Sequence, residues 1–250
     1  MKRRVLAFII AYNAEKTITK VLNNFSKNIL KEIDEILLAD DESSDQTLLI
    51  AQNYKKKRRL SKLKIIKHVK NKGYGGNQKW GYNYAIKNKF DIVVMVHGDA
   101  QYPSEYIPQL IKPIKENKAE FVFGSRMTGH PLKGGMPLHK YLGNKFLTFI
   151  ENLILKTKLS EFHSGFRAYS VKALKEIPFN YNSDDFHFDS EIIIQLVSAK
   201  EKIAEITIPT VYGYEKSHVN VFRYGLNILK ILGEYIATKS KIIKYKKFEI

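Results

Sequence analysis

Apolar runs alternate with segments of helical period through the first half of the chain. The predicted strands are residues 5–11, 35–39, 63–68, 92–96 and 121–123, and the predicted helices are residues 17–25, 45–55, 76–87 and 104–115. This order indicates repeated strand–helix units, so we expect an α/β fold with a mostly parallel central sheet flanked by helices. Asp45 and Ser104 are the predicted N-caps of two of these helices.

The second half of the chain begins with a loop of glycine and proline at residues 128–137. A long amphipathic helix is predicted from Leu138, because apolar residues then recur every three or four positions. A short element at 166–170, a helix near 190–199 and a strand at 203–209 follow. We therefore expect a main domain at residues 1–220 and a C-terminal amphipathic basic helix and tail at 221–250, with residues 244–247 frayed.

The composition excludes several classes of protein. The 250 residues contain no cysteine, which excludes a disulfide framework, an iron–sulfur cluster and a cysteine-based zinc site. The mean hydropathy of −0.30 and the 12% of aromatic residues argue against disorder. No uninterrupted apolar run approaches the ~18–20 residues of a membrane-spanning helix, so any membrane association is expected to be peripheral.

The chain is strongly basic, with 42 Lys and Arg against 25 Asp and Glu and a formal net charge of +17. Such a charge suits nucleic acid, an anionic membrane surface or an anionic small substrate. Scattered lysines explain much of it, and the densest run, at residues 55–59, is predicted to be a solvated loop. Nucleic-acid recognition would also need clustered cations with stacking aromatic residues, and no such motif is present. The sequence therefore predicts no nucleic-acid partner.

Polar residues cluster where predicted strands end, which is where open sheets of this class bind ligands. Asp40 and Asp41 follow the second strand and could accept hydrogen bonds from a nucleobase or a ribose. Asp99 and Gln101 follow the fourth strand, and their oxygen atoms suit Mg²⁺ or Mn²⁺ held jointly with substrate phosphates. His97, in the same segment, is either a packed residue or a ligand.

Arg126 follows the fifth strand, where it could clamp a diphosphate; an ordinary surface arginine is the alternative. The glycine-rich segment at residues 71–77 lacks the Gly-Lys-Ser/Thr ending of a P-loop and the spacing of a dinucleotide-binding fingerprint. Neither ATP hydrolysis nor NAD binding is predicted from it.

Six segments taken together resemble glycosyltransferase family 2, and within it the branch of dolichyl- and polyprenyl-phosphate sugar synthases. The resemblance runs from Val5 to about Arg223. Each segment is weak alone, but their order and spacing are specific for the GT-A nucleotide-sugar fold. The segments are IAYNAE (10–15), ADDESSD (39–45), NKGYG (71–75), GDAQYP (98–103), GSR (124–126) and HSGFRAY (163–169).

This resemblance implies a GT-A catalytic domain at residues 1–220 that moves a sugar, with inversion, from a UDP-, GDP- or dTDP-linked donor. It implies Asp99 and Gln101 as ligands of Mg²⁺ or Mn²⁺, and Asp99 and Arg126 as catalytic residues. The family usually has Asp-x-Asp where this chain has His97-Gly98-Asp99, which leaves the donor contacts and the preferred metal open. The implied nucleotide-sugar contacts are Ala11, Asn13, Glu15, Asp40, Asp41, His97, Gly98, Arg126 and, from an altered Gly-x-Ser-Lys element, Lys216.

The leading acceptor is a polyprenyl phosphate, dolichyl or undecaprenyl, and the alternative is a hydroxyl of a cell-surface glycan. A phosphate monoester is already anionic at neutral pH and needs no general base, whereas a hydroxyl needs one. Asp189 is our first choice for a catalytic base; the alternative is that it stabilises the N-terminus of a helix.

The segment 221–243 forms a basic amphipathic helix that either lies in a membrane interface or packs as core. With a lipid acceptor, the protein is expected to be cytoplasmic and peripheral at the cytoplasmic face of the membrane. A rival class, nucleotidyl transfer onto sugar phosphates, normally has a basic glycine-rich segment after the first strand, where this chain has residues 12–15, YNAE.

Overall fold

The computed structural model describes residues 3–210 and 220–250. The strands are β1 Val5–Ala11, β2 Glu35–Asp40, β3 Leu63–Lys67, β4 Ile92–His97, β5 Phe121–Ser125, β6 Arg167–Ser170 and β7 Ile203–Thr207. They form one sheet in the order β3-β2-β1-β4-β6-β5-β7. Neighbouring strands are parallel except around β6, which runs antiparallel to β4 and β5. The predicted mostly parallel sheet is confirmed.

Helices flank the sheet on both faces. The α-helices of the described residues are α1 Ile18–Asn23, α2 Lys27–Glu32, α3 Thr47–Arg58, α4 Gly73–Lys87, α5 Ile107–Lys115, α6 Leu138–Leu155, α7 Val171–Glu176, α8 Phe188–Ser198 and α9 Val221–Lys239. Short 3₁₀ turns occur at Ser104–Tyr106, Phe179–Tyr181 and Lys246–Phe248. The mixed α/β architecture and the C-terminal helix agree with the sequence prediction.

The side chains of β1 alternate between two buried clusters, one on each face of the sheet. Phe8 belongs to the first cluster, together with Tyr82 of α4 and Phe188 of α8. Ile9 belongs to the second cluster, together with Leu110 of α5. Every residue of β1 is buried, as expected for a central strand with helices on both faces.

The carboxyl ends of β1, β2 and β4 lie side by side. Ala11 pairs with Asp40 across β1 and β2, and Ile10 pairs with His97 across β1 and β4. Strand β5 runs in the same direction, because both it and β4 are antiparallel to β6. The loops after these four strands therefore meet at one edge of the sheet.

Helix α4 begins earlier than predicted, at Gly73 rather than Gly76. Its glycines let the first turn lie directly against the segment before α8. A Cβ atom on Gly75 would lie 2.3 Å from the carbonyl oxygen of Ser183, and Gly73 has a φ of +75°. The glycine-rich segment therefore forms a close helix-to-loop contact.

Two local predictions about helix ends are wrong. The basic run at residues 55–59 does not form a loop, because residues 55–58 make the last turn of α3. Positive charges at the C-terminal end of a helix interact favourably with the helix dipole. Asp45 and Ser104 are not N-caps. Asp45 instead accepts a hydrogen bond from the backbone N–H of Thr47 at 2.9 Å, and Ser104 opens a 3₁₀ turn ahead of α5.

The C-terminal residues are packed rather than frayed, which corrects the prediction for residues 244–247. Phe248 is buried. Lys247 forms ion pairs at 2.7 Å with Glu191 of α8 and with Glu234 of α9. These contacts raise the pKa of Lys247 against the opposing effect of burial. A buried aromatic ring and a doubly paired lysine therefore fix the tail, although the sequence around them is rich in lysine.

Candidate active site

A cleft of about 1760 Å³ opens at the carboxyl edge of the sheet. It has two parts: a polar arm lined by the loops after the strands, and an apolar arm lined by α6 and α9. Most of the site residues expected from the sequence line the polar arm together. They are Ala11, Asn13, Glu15, Asp41, His97, Gly98, Asp99, Gln101, Arg126 and Asp189.

The loops after β1 and β2 hold each other through side-chain-to-backbone hydrogen bonds. Asn13 has a positive φ of 48°, and its side-chain oxygen accepts from the backbone N–H of Ser44 at 3.0 Å. Glu15 accepts from the backbone N–H of Gln46 at 3.1 Å, and its own N–H donates to Asp45 at 3.0 Å. These hydrogen bonds hold the acidic and amide groups at the rim of the cleft in place before any ligand binds.

Asp41 lines the cleft, whereas the neighbouring Asp40 does not. Burial raises the pKa of Asp41, and the backbone N–H of Lys72, which donates to it at 2.8 Å, opposes that effect. Asp40 is fully buried at the end of β2, and its Oδ1 accepts from the backbone N–H of Ser43 at 3.0 Å. The prediction that Asp40 contacts the donor is therefore corrected: it shapes the loop that presents Asp41.

The end of β4 and the loop after it bring His97, Gly98, Asp99 and Gln101 to the cleft. A Cβ atom on Gly98 would lie 2.9 Å from the carbonyl oxygen of Ile10, so glycine allows the close approach of β1 and this loop. Asp99 Oδ1 accepts from the backbone N–H of Gln101 at 3.0 Å. Burial lowers the pKa of His97, partly offset by the charge of Asp99.

The donor atoms at this point fit a divalent cation that is shared with a substrate. Among residues 3–210 and 220–250, no group of three or more His, Asp or Glu side chains could hold a metal ion alone. Asp99 and Gln101 supply oxygen donors, and the Asp99 side chain is 40% exposed to the cleft. Mg²⁺ and Mn²⁺ commonly use one or two protein oxygens and complete their shell with water and phosphate oxygens.

Asp189 stands in the first turn of α8, as predicted, but both of its carboxylate oxygens have partners. Oδ2 accepts from the hydroxyl of Tyr74 at 2.8 Å. Oδ1 accepts from Gln78 at 3.1 Å and lies 3.4 Å from the buried guanidinium of Arg167. The Tyr74 oxygen also lies 3.2 Å from Nε2 of His97. Through Tyr74, Asp189 therefore links helix α8 to His97 at the end of β4.

Tyr74 and Arg167 are functional candidates that the sequence did not single out. Both lie in segments quoted for the family resemblance, at 71–75 and 163–169, but their spacing gave no sign that Asp189 joins them. Arg167 is fully buried and donates to the carbonyl oxygens of Ser164 at 2.6 Å and Asp189 at 2.7 Å. A buried arginine with these contacts fixes the position of α8 relative to the sheet.

Arg126 reaches the cleft from the end of β5, but its guanidinium is already paired with Glu161. The Arg126 backbone N–H donates to Glu161 at 2.8 Å, and Nε donates at 3.0 Å. Burial alone would raise the pKa of Glu161, but the charge and hydrogen bonds of Arg126 outweigh burial and lower it. Asn144 of α6 donates to the same carboxylate at 2.9 Å. Glu161 thus positions Arg126 and ties it to the apolar arm.

Helix α9 is buried on one side and exposed on the other, so only part of it packs as core. One side of α9 buries Ile228, Ile231 and Leu232. Its other side, with an adjoining stripe of α6, leaves large apolar residues exposed; we call this set the exposed apolar face. It comprises Leu138, Leu142, Phe146, Phe149 and Leu153 of α6 and Phe222, Leu226, Leu229 and Ile236 of α9.

The loop at 128–137 contributes Met136 to the cleft lining, and Lys216 lies outside the described residues. Across the ranges that the structure describes, none of the helices has the length and apolar character that crossing a bilayer requires.

Comparison with known proteins is consistent with this geometry. The family model described as Glycosyl transferase family 2 matches residues 7–178. A UDP-N-acetylglucosamine–dolichyl-phosphate N-acetylglucosaminyltransferase of Methanococcus voltae is 32% identical over 218 residues, covering 83% of this chain and 86% of its own length. An undecaprenyl-phosphate mannosyltransferase of Micrococcus luteus is 24% identical over 239 residues, covering 89% of this chain and 94% of its own length.

Solved structures share the same fold. Glucosyl-3-phosphoglycerate synthase of Mycobacterium tuberculosis, in complex with phosphoglyceric acid, has a TM-score of 0.67 at 18% identity, covering 92% of this chain and 79% of that chain. The same enzyme with Mn²⁺, UDP and phosphoglyceric acid has a TM-score of 0.64 at 17% identity, covering 96% of this chain and 78% of that chain. The chain belongs to glycosyl transferase family 2 and is a nucleotide-sugar-dependent glycosyltransferase of GT-A fold, in the branch that resembles polyprenyl-phosphate sugar synthases.

Proposed function

We propose that this enzyme transfers a sugar from a UDP-linked donor to a polyprenyl phosphate at a membrane surface, with inversion at the anomeric carbon. One observation carries the proposal. The polar arm and the apolar arm are parts of one cleft, so residues such as Asp99 and Phe222 line the same space. A water-soluble nucleotide sugar and a lipid chain need these two environments next to each other.

UDP is the nucleotide that the comparisons favour. The Methanococcus voltae relative is named for UDP-N-acetylglucosamine, and solved neighbours of the same fold hold UDP or UDP-glucose. In the polar arm, Asn13, Glu15 and Asp41 would contact the nucleoside. UDP-N-acetylglucosamine is therefore the first donor to test, and GDP- and dTDP-sugars are the alternatives.

The chemistry of transfer needs little from the protein beyond positioning and charge. An oxygen of the acceptor phosphate forms a bond to the anomeric carbon, and the bond from that carbon to UDP breaks, with the electron pair leaving on the diphosphate. Arg126 would stabilise the charge that builds on the leaving group. Asp99 and Gln101 would hold Mg²⁺ or Mn²⁺, which supplies further charge stabilisation there when bound.

A phosphate acceptor also agrees with the state of Asp189. Both of its oxygens accept hydrogen bonds from neighbouring side chains, and Arg167 lies beside it, so these contacts tie the carboxylate to the protein. A phosphate monoester, with a second pKa of about 6, is already anionic and needs no base. We therefore assign Asp189 a positioning role. The alternative acceptor, a glycan hydroxyl, would need another base.

The exposed apolar face gives the protein a means to reach its lipid. Phe149 and Phe222 are 65% and 79% exposed, and cations flank them, among them Lys145 and Arg223. Basic helices with an apolar face bind the interface of anionic bilayers. We infer peripheral contact of this face with the cytoplasmic leaflet, with the mouth of the apolar arm facing the lipid.

The test is a panel of nucleotide sugars against polyprenyl phosphate in vesicles and against soluble glycans, with and without EDTA. We expect release of UDP together with a glycolipid, from a UDP-sugar only, and we expect EDTA to stop it. Activity on soluble glycans but never on the lipid would favour the hydroxyl alternative. Turnover of a GDP- or dTDP-sugar alone would overturn the UDP assignment.

A further inference from the structure

The hydrogen atoms around Tyr74 can be assigned from the chemistry of its partners. A carboxylate only accepts hydrogen bonds, so the Tyr74 hydroxyl must donate its single proton to Asp189 Oδ2, 2.8 Å away. The Tyr74 oxygen lies 3.2 Å from His97 Nε2. Having given its proton to Asp189, that oxygen can only accept from His97. Nε2 of His97 therefore carries the hydrogen, and the Nδ1 of the neutral ring keeps a free lone pair.

The contacts of the His97 ring distinguish its two nitrogen atoms. A Cβ atom on Gly165 would lie 2.3 Å from His97 Nε2, so this edge of the ring is packed against backbone. The ring of Tyr102 contacts the imidazole edge-on, with centroids 4.9 Å apart. Nδ1, the other ring nitrogen, lies 3.9 Å from Oδ2 of Asp99, and both residues line the cleft.

The separation of Nδ1 and Oδ2 suits two ligands of one cation. Two atoms that ligate one ion with bonds of about 2.1 Å lie about 3 Å apart when the bonds form a right angle, and at most about 4.2 Å apart. At 3.9 Å both atoms can reach one cation, and a small rotation of the partly exposed Asp99 side chain would bring them to the right-angle spacing. The Nε2–H···O bond to Tyr74 is the kind of second hydrogen bond that orients an imidazole ligand and selects its tautomer. Tyr74 and Asp189 together would hold His97 in the ligating tautomer.

We propose that Nδ1 of His97 is a third protein ligand, beside Asp99 and Gln101, for the divalent cation that binds with the donor, and that it shifts metal preference from Mg²⁺ toward Mn²⁺. Imidazole suits transition metals, whereas Mg²⁺ prefers an all-oxygen shell. An aspartate at this position would offer only oxygen. This assignment rests on the proposed function, because the cation's remaining ligands are the diphosphate and water.

Pulsed electron paramagnetic resonance of the full-length protein with Mn²⁺ and UDP tests the assignment without relying on turnover. A directly bound imidazole nitrogen modulates the Mn²⁺ spin echo. We expect this nitrogen modulation in the wild type, its loss in His97→Gln, and its retention in the matched control His139→Gln, which changes an exposed histidine of α6. Thermal melting followed by circular dichroism shows whether His97→Gln keeps the fold.

A competition measurement gives a second readout that does not depend on the spectrum. Displacement of Mn²⁺ by Mg²⁺ in the presence of UDP is expected to become easier in His97→Asp, because the variant replaces nitrogen by oxygen. A wild-type Mn²⁺–UDP complex without nitrogen modulation, or modulation that persists in His97→Gln, overturns the role of His97 alone. If the wild type forms no Mn²⁺–UDP complex, the proposed function fails, and this assignment fails with it.

Discussion

Glu161 is completely buried, and it accepts hydrogen bonds from both the backbone and the side chain of Arg126. The pair joins the end of β5 to the segment that follows α6, at the point where the two arms of the cleft meet. A buried carboxylate is tolerated here because the guanidinium and the Asn144 amide satisfy its oxygens.

Glu161→Ala is expected to lower the free energy of unfolding by about 3 kcal/mol, because it removes the carboxylate that pairs with Arg126 in a largely buried site. Chemical denaturation measures the change. Glu116→Ala is the matched control, since Glu116 pairs with Lys118 on the surface, where ion pairs contribute little. Equal stability of Glu161→Ala and the wild type would show that the pair is not structural.

The same pair predicts a pH dependence. The pKa of Glu161 lies below its ordinary value of 4.5, so its contribution to stability is present above pH 4.5 and is lost as pH falls through the lower pKa of the folded state. The difference in unfolding free energy between the wild type and Glu161→Gln should therefore shrink as the pH falls from 4.5 through the lower pKa that Glu161 has in the folded protein. A difference that stays constant down to complete acid unfolding would contradict this assignment.

Asp99→Ala is expected to abolish transfer and to leave the melting temperature unchanged. Its side chain is 40% exposed, and its Oδ1 hydrogen bond stays within its own loop, so the fold does not need it. Glu105→Ala removes an exposed carboxylate six residues later, outside the cleft lining, and should keep full transfer. Glycolipid formation and thermal melting measure both variants, and full activity of Asp99→Ala would refute the metal assignment.

Replacing apolar residues of the exposed apolar face by glutamate is expected to weaken membrane binding. Each of Phe149→Glu and Phe222→Glu should reduce binding to anionic vesicles at least about tenfold, from lost burial of a phenylalanine. Vesicle sedimentation measures the effect. Leu49→Glu changes another exposed apolar residue, on α3 and outside the face, and should bind like the wild type. A loss as large for Leu49→Glu would mean that the face has no special role.

Gly75→Ala is expected to destabilise the protein by about 1–3 kcal/mol, because its Cβ would overpack against a backbone oxygen, 2.3 Å away on Ser183. The displaced segment lines the cleft, so UDP binding should weaken too. Gly233→Ala is the control, because nothing lies within 4 Å of a Cβ there, and alanine in a helix should stabilise by about 0.5–1 kcal/mol. Denaturation and calorimetry distinguish the two, and a neutral Gly75→Ala would contradict the close contact.

Much of this architecture could be predicted from the sequence because it depends on local pattern. The apolar run of β1 and the helical period of α6 identify their elements directly, and the polar residues after β1, β2, β4 and β5 must meet because parallel strands share an edge. Asp41 and Asp99 were placed at one edge in this way, whereas Asn13 was expected only from the family resemblance.

What could not be predicted depends on contacts between segments far apart in the chain. Nothing near Arg126 signals that Glu161 would pair with it, and nothing near Asp189 signals Tyr74 or Arg167. The antiparallel insertion of β6 between β4 and β5 also follows from packing, since β6 is only four residues long. Lys247 was expected to fray because its two acidic partners, Glu191 and Glu234, are remote in sequence.

Nuclear magnetic resonance of the product made from a UDP-sugar and polyprenyl phosphate tests the central claim most directly. We predict a new phosphodiester signal that joins the sugar C1 to the lipid phosphate, with the anomeric configuration opposite to that of the donor. Release of UDP with the sugar found only on water or on a hydroxyl acceptor, and never on the lipid phosphate, would contradict the account.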